Sequence, residues 1–164
     1  MKRRRMKVLG GAACLAALAA VAVIALPASG TAPPGSTFFA KLTGEHGPAP
    51  DGDVDGYGTF SGGFRATASG TSFCYGLTVF KIGNPTAAHI HQGGPTVDGG
   101  IKIGLIPPTS GLSGASAKCV TVSNTVANAI KANPGAFYIN VHNSAFPNGA
   151  IRGQLFQATA TQDK

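Results

Sequence analysis

Two histidines, His89 and His91, stand two residues apart in AAHIHQGG (87–94), and a third, His142, lies in YINVHN (138–143). Imidazole is the commonest metal ligand among side chains, and its charge changes near neutral pH. In an extended chain alternate residues share a face, with Cα atoms about 6.6 Å apart. Two imidazoles at that spacing converge on one ion, and His142 supplies a third nitrogen if its strand is a neighbour. Three histidines with a fourth position open suit zinc or copper. Asn140 and Tyr138 share the face of His142 and would form its polar support. The competing reading makes the same histidines fold anchors that donate hydrogen bonds to carbonyls of the glycine-rich loops beside them.

Other chemistry is sparser. Asp51, Asp53 and Asp55 in DGDVDG match the opening of a calcium loop, but the twelfth position is Gly62, where a bidentate glutamate belongs. A weak calcium site or a solvated turn are the two readings of this segment. Outside it the acidic residues are Glu45, Asp98 and Asp163, too few for the paired carboxylates of glycoside hydrolysis. Gly111–Ala115 (GLSGA) lacks the final glycine of a nucleophile elbow. No phosphate-binding or dinucleotide fingerprint occurs. The fourth histidine, His46, sits between Glu45 and Gly47 and reads as a surface loop residue.

The chain begins MKRRRMK, continues with an apolar run from Val8 to Leu26, and then reads Pro27, Ala28, Ser29, Gly30. A cationic start, an apolar stretch and small residues describe a secretory leader, which we place over residues 1–29, with residues 30–36 a short linker. An uncleaved anchor helix is the alternative. The leader holds five of the 13 basic residues, so the remainder carries eight basic against six acidic, and the formal +7 falls to +2. That leaves no basic stripe for nucleic acid. Cys14 lies in the leader, so Cys74 and Cys119 remain. An even count in an exported chain reads as a disulfide between them.

The rest of the chain reads as short strands punctuated by Gly, Pro and Asn, the pattern of an all-β sandwich or barrel. Strands are expected at Thr37–Thr43, Tyr57–Ala68, Thr71–Lys81, Ala87–His91, Ile101–Ile106, Lys118–Ser123, Ala136–Ser144 and Ala150–Ala158. The second and third form a hairpin about Ser69-Gly70. One helix is expected over Asn124–Ala132, with Ser123 or Asn124 as cap and Pro134 beyond its end. Pro147-Asn148-Gly149 joins the last two strands. Residues 159–164 read as a frayed tail. Phe137, Ile139 and Val141 should face the core, and so should Ala88 and Ile90, with the histidines on the opposite face.

The segments AHIHQGG and YINVHNSAFPNGAIRGQL, and the alternating strands around them, resemble the CHRD (chordin-type) domain family from about Phe38 to Leu155. The matching positions are His89, His91, Asn140, His142, Gly149, Arg152 and Gly153. The resemblance implies an extracytoplasmic all-β domain over residues 37–158 and no settled reaction. It departs at Ala150, where the family often has glutamate, so Arg152 is expected to bond backbone carbonyls or a distant aspartate as a structural anchor rather than a catalytic group. The H-x-H strand also looks like part of copper–zinc superoxide dismutase, but this chain is too poor in histidine for that enzyme's two-metal site.

We therefore expect an exported, all-β, Greek-key-like antiparallel sandwich with one short helix and a Cys74–Cys119 disulfide. The expected function is a non-catalytic binding or structural module at or outside the cell surface, with copper or zinc on His89, His91 and His142. A dismutase-like redox enzyme and a calcium-binding adhesion component, using Asp51, Asp53 and Asp55, are the alternatives. Expected partners are an extracellular protein or glycan, no nucleic acid, and a membrane only through an uncleaved leader.

Overall fold

The structure is a computed structural model and describes residues 37–44 and 52–158. The expected leader, linker and tail lie outside the described residues, as do His46 and Asp51. Among the described residues no helix is long and apolar enough to cross a membrane.

The strands are β1 (Thr37–Thr43), β2 (Tyr57–Thr67), β3 (Gly70–Phe80), β4 (Pro85–Gln92), β5 (Ile101–Leu105), β6 (Ser113–Val122), β7 (Phe137–Asn143), β8 (Ile151–Gln154) and β9 (Phe156–Gln157). The helix α1 spans Asn124–Ala132, and a single 3-10 turn follows at Pro134–Ala136. Eight strands run antiparallel in the order β5-β4-β7-β8-β1-β2-β3-β6, with β9 paired to β1. The chain crosses from β3 to β4 and from β6 to β7, so neighbours in sequence are not always neighbours in the sheet. The two edges approach each other just past β5. There Ile106 N–H donates to the Tyr75 hydroxyl (2.6 Å), and Ser116 Oγ donates to Ile106 O (2.7 Å). The sheet is a nearly closed barrel.

Period-2 alternation fills the interior. Phe38, Leu42, Phe60, Phe73, Leu77, Ile90, Ile139 and Ile151 are all at most 2% exposed. Burial of such side chains is the main favourable term in folding, about 1.5–3 kcal/mol each. α1 adds Ala127 and Ile130 to this core. Its first turn is capped by Ser123, whose Oγ accepts from Val126 N–H at 3.2 Å.

Several boundaries differ from the sequence expectation. The β2–β3 turn is Ala68-Ser69, one residue earlier than expected, because Gly70 already pairs with Thr67. β6 begins at Ser113 rather than Lys118: SGASA has little strand propensity of its own, and pairing with β3 along ten residues extends it. The last expected strand is split, because Leu155 turns inward (1% exposed) and its N–H bonds Phe137 O at 2.9 Å. The Cys74–Cys119 disulfide forms, between residues directly opposite each other on β3 and β6. It ties an edge strand to the sheet from the outside, with Cys119 exposed.

Candidate metal centre

β4 and β7 are hydrogen-bonded neighbours, with His89 opposite Asn140, His91 opposite Tyr138 and Ala87 opposite His142. Ala88 and Ile90 face the core with Ile139 and Val141, so the three histidines share the outer face. Their ligand nitrogens all lie within 4.8 Å of one another. His89 Nδ1 is 3.2 Å from His142 Nε2. Tetrahedral zinc with Zn–N of about 2.0–2.1 Å separates its ligand nitrogens by roughly 3.3 Å, so one edge of that tetrahedron already stands at the right length.

Hydrogen bonds fix which nitrogen of two rings is available. His91 Nδ1 is 2.8 Å from Gly99 O, and His142 Nδ1 is 2.9 Å from Pro147 O. A carbonyl oxygen only accepts, so each Nδ1 carries the proton and each neutral ring keeps its lone pair on Nε2. This carbonyl–histidine pairing is the arrangement that orients ligating histidines in metal sites. His91 Nε2 is buried and has no hydrogen-bond partner. An orphaned buried nitrogen is costly, and a metal ion would satisfy it. Burial, with the charges of the neighbouring imidazoles, pushes His89 below the usual imidazole range. Burial does the same for His142, against the bond to Pro147 O. Both rings are therefore neutral at pH 7, the state that binds metals.

Loops wall the site on both sides. A cavity of about 220 Å³ lies between His91 and His142, bordered by Asn140, Tyr138, Asp98 and Asn148. Asn140 is 4% exposed and donates from Nδ2 to Asn148 O (3.0 Å), while its Oδ1 is a second buried atom without a partner. Gly149, at φ +137°, lets the loop press on this amide: a Cβ there would overlap the Asn140 side chain. Gly153 is similarly required, since a Cβ would strike the Lys41 carbonyl on β1.

Tyr138 is 1% exposed, stacked on His91 with centroids 4.9 Å apart and planes 9° apart, and Arg152 Cζ lies 3.5 Å from its ring centroid. The sequence reading put Tyr138 on a polar face; in the fold it is a buried ring between β4 and β8 neighbours. Arg152 is 6% exposed and binds Asp98 Oδ1 (3.0 Å), Gly94 O (2.7 Å) and Val97 O (2.8 Å). These are the carbonyls and distant aspartate expected for Arg152; sequence reasoning missed Gly99, in the same loop after β4, where the run of glycines was the available signal. Ala150 precedes β8 and is fully buried.

The acidic segment does not assemble in the same way. Burial, and then the neighbouring Asp55 carboxyl, raise Asp53 above the usual carboxylate range. Asp51 is outside the described residues. The three histidines are the group of metal-capable side chains found among the described residues.

Comparison with curated proteins found no match. Comparison with solved structures found none either. The family model for the CHRD domain matches residues 38–155, the span that holds the barrel, the histidine cluster and the disulfide. The chain belongs to the CHRD domain family.

Proposed function

We propose that this protein is an exported, non-catalytic binding module whose outer face holds one zinc or copper ion on His89 Nδ1, His91 Nε2 and His142 Nε2. The observation that carries the reading is the pair of Nδ1–H bonds to Gly99 O and Pro147 O, which leave two Nε2 lone pairs beside His89. Three protein ligands leave a fourth position toward the cavity, where a water or a partner's side chain completes the coordination. In the metal-free state His89 Nδ1–H donates to His142 Nε2; on ligation that proton moves to His89 Nε2. The site therefore takes up a divalent ion with little net proton release near pH 7.

Export agrees with the leader-like residues 1–29 and with the disulfide, which persists in oxidising compartments. Family membership supports a binding role outside the cytoplasm.

The test is metal content after equilibrium dialysis against Zn²⁺ and Cu²⁺ separately. One ion per chain is expected, and none in the His89→Ala/His91→Ala/His142→Ala variant. A parent that retains no transition metal would make the histidines fold anchors.

A further inference from the structure

Arg152 is no metal ligand, yet a continuous set of contacts connects it to one. The loop from Gly93 to Gly100 returns to its own start, where Gln92 N–H donates to Gly100 O at 3.1 Å. Its first residue is held from β8, since Gln154 Nε2 donates to Gly93 O at 3.0 Å. Arg152 then grips the rest through Gly94 O, Val97 O and Asp98 Oδ1. The loop's last turn is registered on Tyr138, whose hydroxyl accepts from Gly99 N–H at 3.1 Å. That same Gly99 turns its carbonyl to His91 Nδ1. The three Arg152 acceptors and Gly99 thus belong to one short loop, and the Tyr138 ring packs against both Arg152 and His91.

We infer that Arg152 is the positioning residue for the His91 ligand, and that metal occupancy and the Gly93–Gly100 loop are thermodynamically coupled through Gly99. The inference rests on the metal-binding reading of the cluster. Held by Arg152, Gly99 O keeps the His91 proton on Nδ1 and the lone pair on Nε2. Released, the loop withdraws the carbonyl, and His91 is free to change tautomer and to rotate off Tyr138. Coupling is reciprocal: an ion on His91 Nε2 strengthens the Nδ1–H donor and holds the loop in place. The loop carries exposed Val97, and β5 after it begins with exposed Ile101, so the metal would govern how this apolar tip is presented. A guanidinium suits the task because its rigid planar fork spreads five donors over the loop acceptors and stacks on the Tyr138 ring, whereas an ammonium is a compact point of three donors.

The experiment measures zinc affinity by competition with a chromophoric chelator, together with amide exchange of residues 93–100 with and without Zn²⁺. Loss of an outer partner of a ligating histidine weakens metal binding by about 10–100-fold, and that loss is expected for Arg152→Gln, with exchange in β1–β3 unchanged. Arg152→Lys should recover little of it. Tyr138→Phe keeps the ring and removes only the acceptor of Gly99 N–H, so it tests the same linkage should Arg152→Gln fail to fold; a several-fold loss is expected. In the parent, Zn²⁺ should slow exchange in the loop. Parent-like affinity in folded Arg152→Gln, or in Tyr138→Phe where Arg152→Gln does not fold, or loop exchange indifferent to zinc, would overturn the positioning role alone. A parent that takes up no zinc would overturn the metal reading and this inference with it.

Discussion

The outer face of this barrel has two halves built on the same alternation but put to different use. Over β4, β7 and β8 it is covered: loops fold back onto it, and it buries His91, Asn140, Tyr138 and Arg152. Over β2, β3 and β6 it is bare, a shallow groove of small residues such as Thr59, Ser61, Gly76, Ala115 and Ala117. There the cross-strand fasteners are a Thr59–Thr78 hydroxyl pair at 2.7 Å and the Cys74–Cys119 bridge. The covered half holds the unpartnered buried atoms, His91 Nε2, Asn140 Oδ1, Asn143 Nδ2 and Gln154 Oε1, whereas the bare half contributes none among the described residues. Covering a sheet face with loops makes an unpartnered buried polar group costly, and at His91 Nε2 the proposed ion would be the partner. The bare half is fastened covalently by the disulfide.

This contrast predicts that stability and metal binding separate. The largest effect on stability should come from Cys74→Ser/Cys119→Ser. Opening a bridge between residues 45 apart in sequence costs about 4 kcal/mol by loop-closure entropy. Chemical denaturation should show that loss, while zinc affinity of the remaining folded protein stays within a few-fold of the parent. A large drop in zinc affinity would break the separation.

On the covered side, Gly149→Ala should cost about 2 kcal/mol, since a side chain is strained at this φ. It should also weaken zinc binding, because the added methyl displaces Asn140 beside the cluster. Denaturant melts with and without zinc check both parts.

A smaller effect is pH-dependent. His89 and His142 titrate below the ordinary value of 6.5 in the folded state. Between that lowered range and 6.5 the unfolded chain binds more protons than the folded one, so stability rises with pH there. Metal-free protein should have its full stability above 6.5 and lose part of it as pH falls below that value. Urea melts at about pH 7.5 and about pH 5.5 would show it, and the triple histidine variant should show less. The smallest effect is on the bare side. Thr78→Val removes an exposed hydroxyl pair worth about 0.5 kcal/mol and should leave zinc affinity alone.

The parts of the fold that rest on local pattern were legible in the sequence. Thr37–Thr43 and the helix at Asn124–Ala132 match to the residue, because alternation in one and a cap with an apolar stripe in the other are local signals. The inward set Ala88, Ile90, Phe137, Ile139 and Val141 was legible for the same reason. Ser113–Ala117 was not, since its strand character comes from β3 across the sheet. The histidines could be assigned to one face, but their meeting depends on β4 and β7 being neighbours, which no local pattern encodes. Least legible was the loop after β4. Arg152 and Asp98 are 54 residues apart, and nothing near either one announces the other. The Gly99 carbonyl that sets the tautomer of His91 is backbone, and so carries no sequence signature beyond its glycine.

The central claim is that the three imidazoles bind one ion through the nitrogens named. A crystal of the zinc-loaded protein, with anomalous scattering collected at the zinc edge, tests it most directly. The account predicts a single strong peak about 2.0–2.1 Å from His89 Nδ1, His91 Nε2 and His142 Nε2, with His91 Nδ1 still bonded to Gly99 O. A peak elsewhere, or none in protein soaked to saturation, would contradict it.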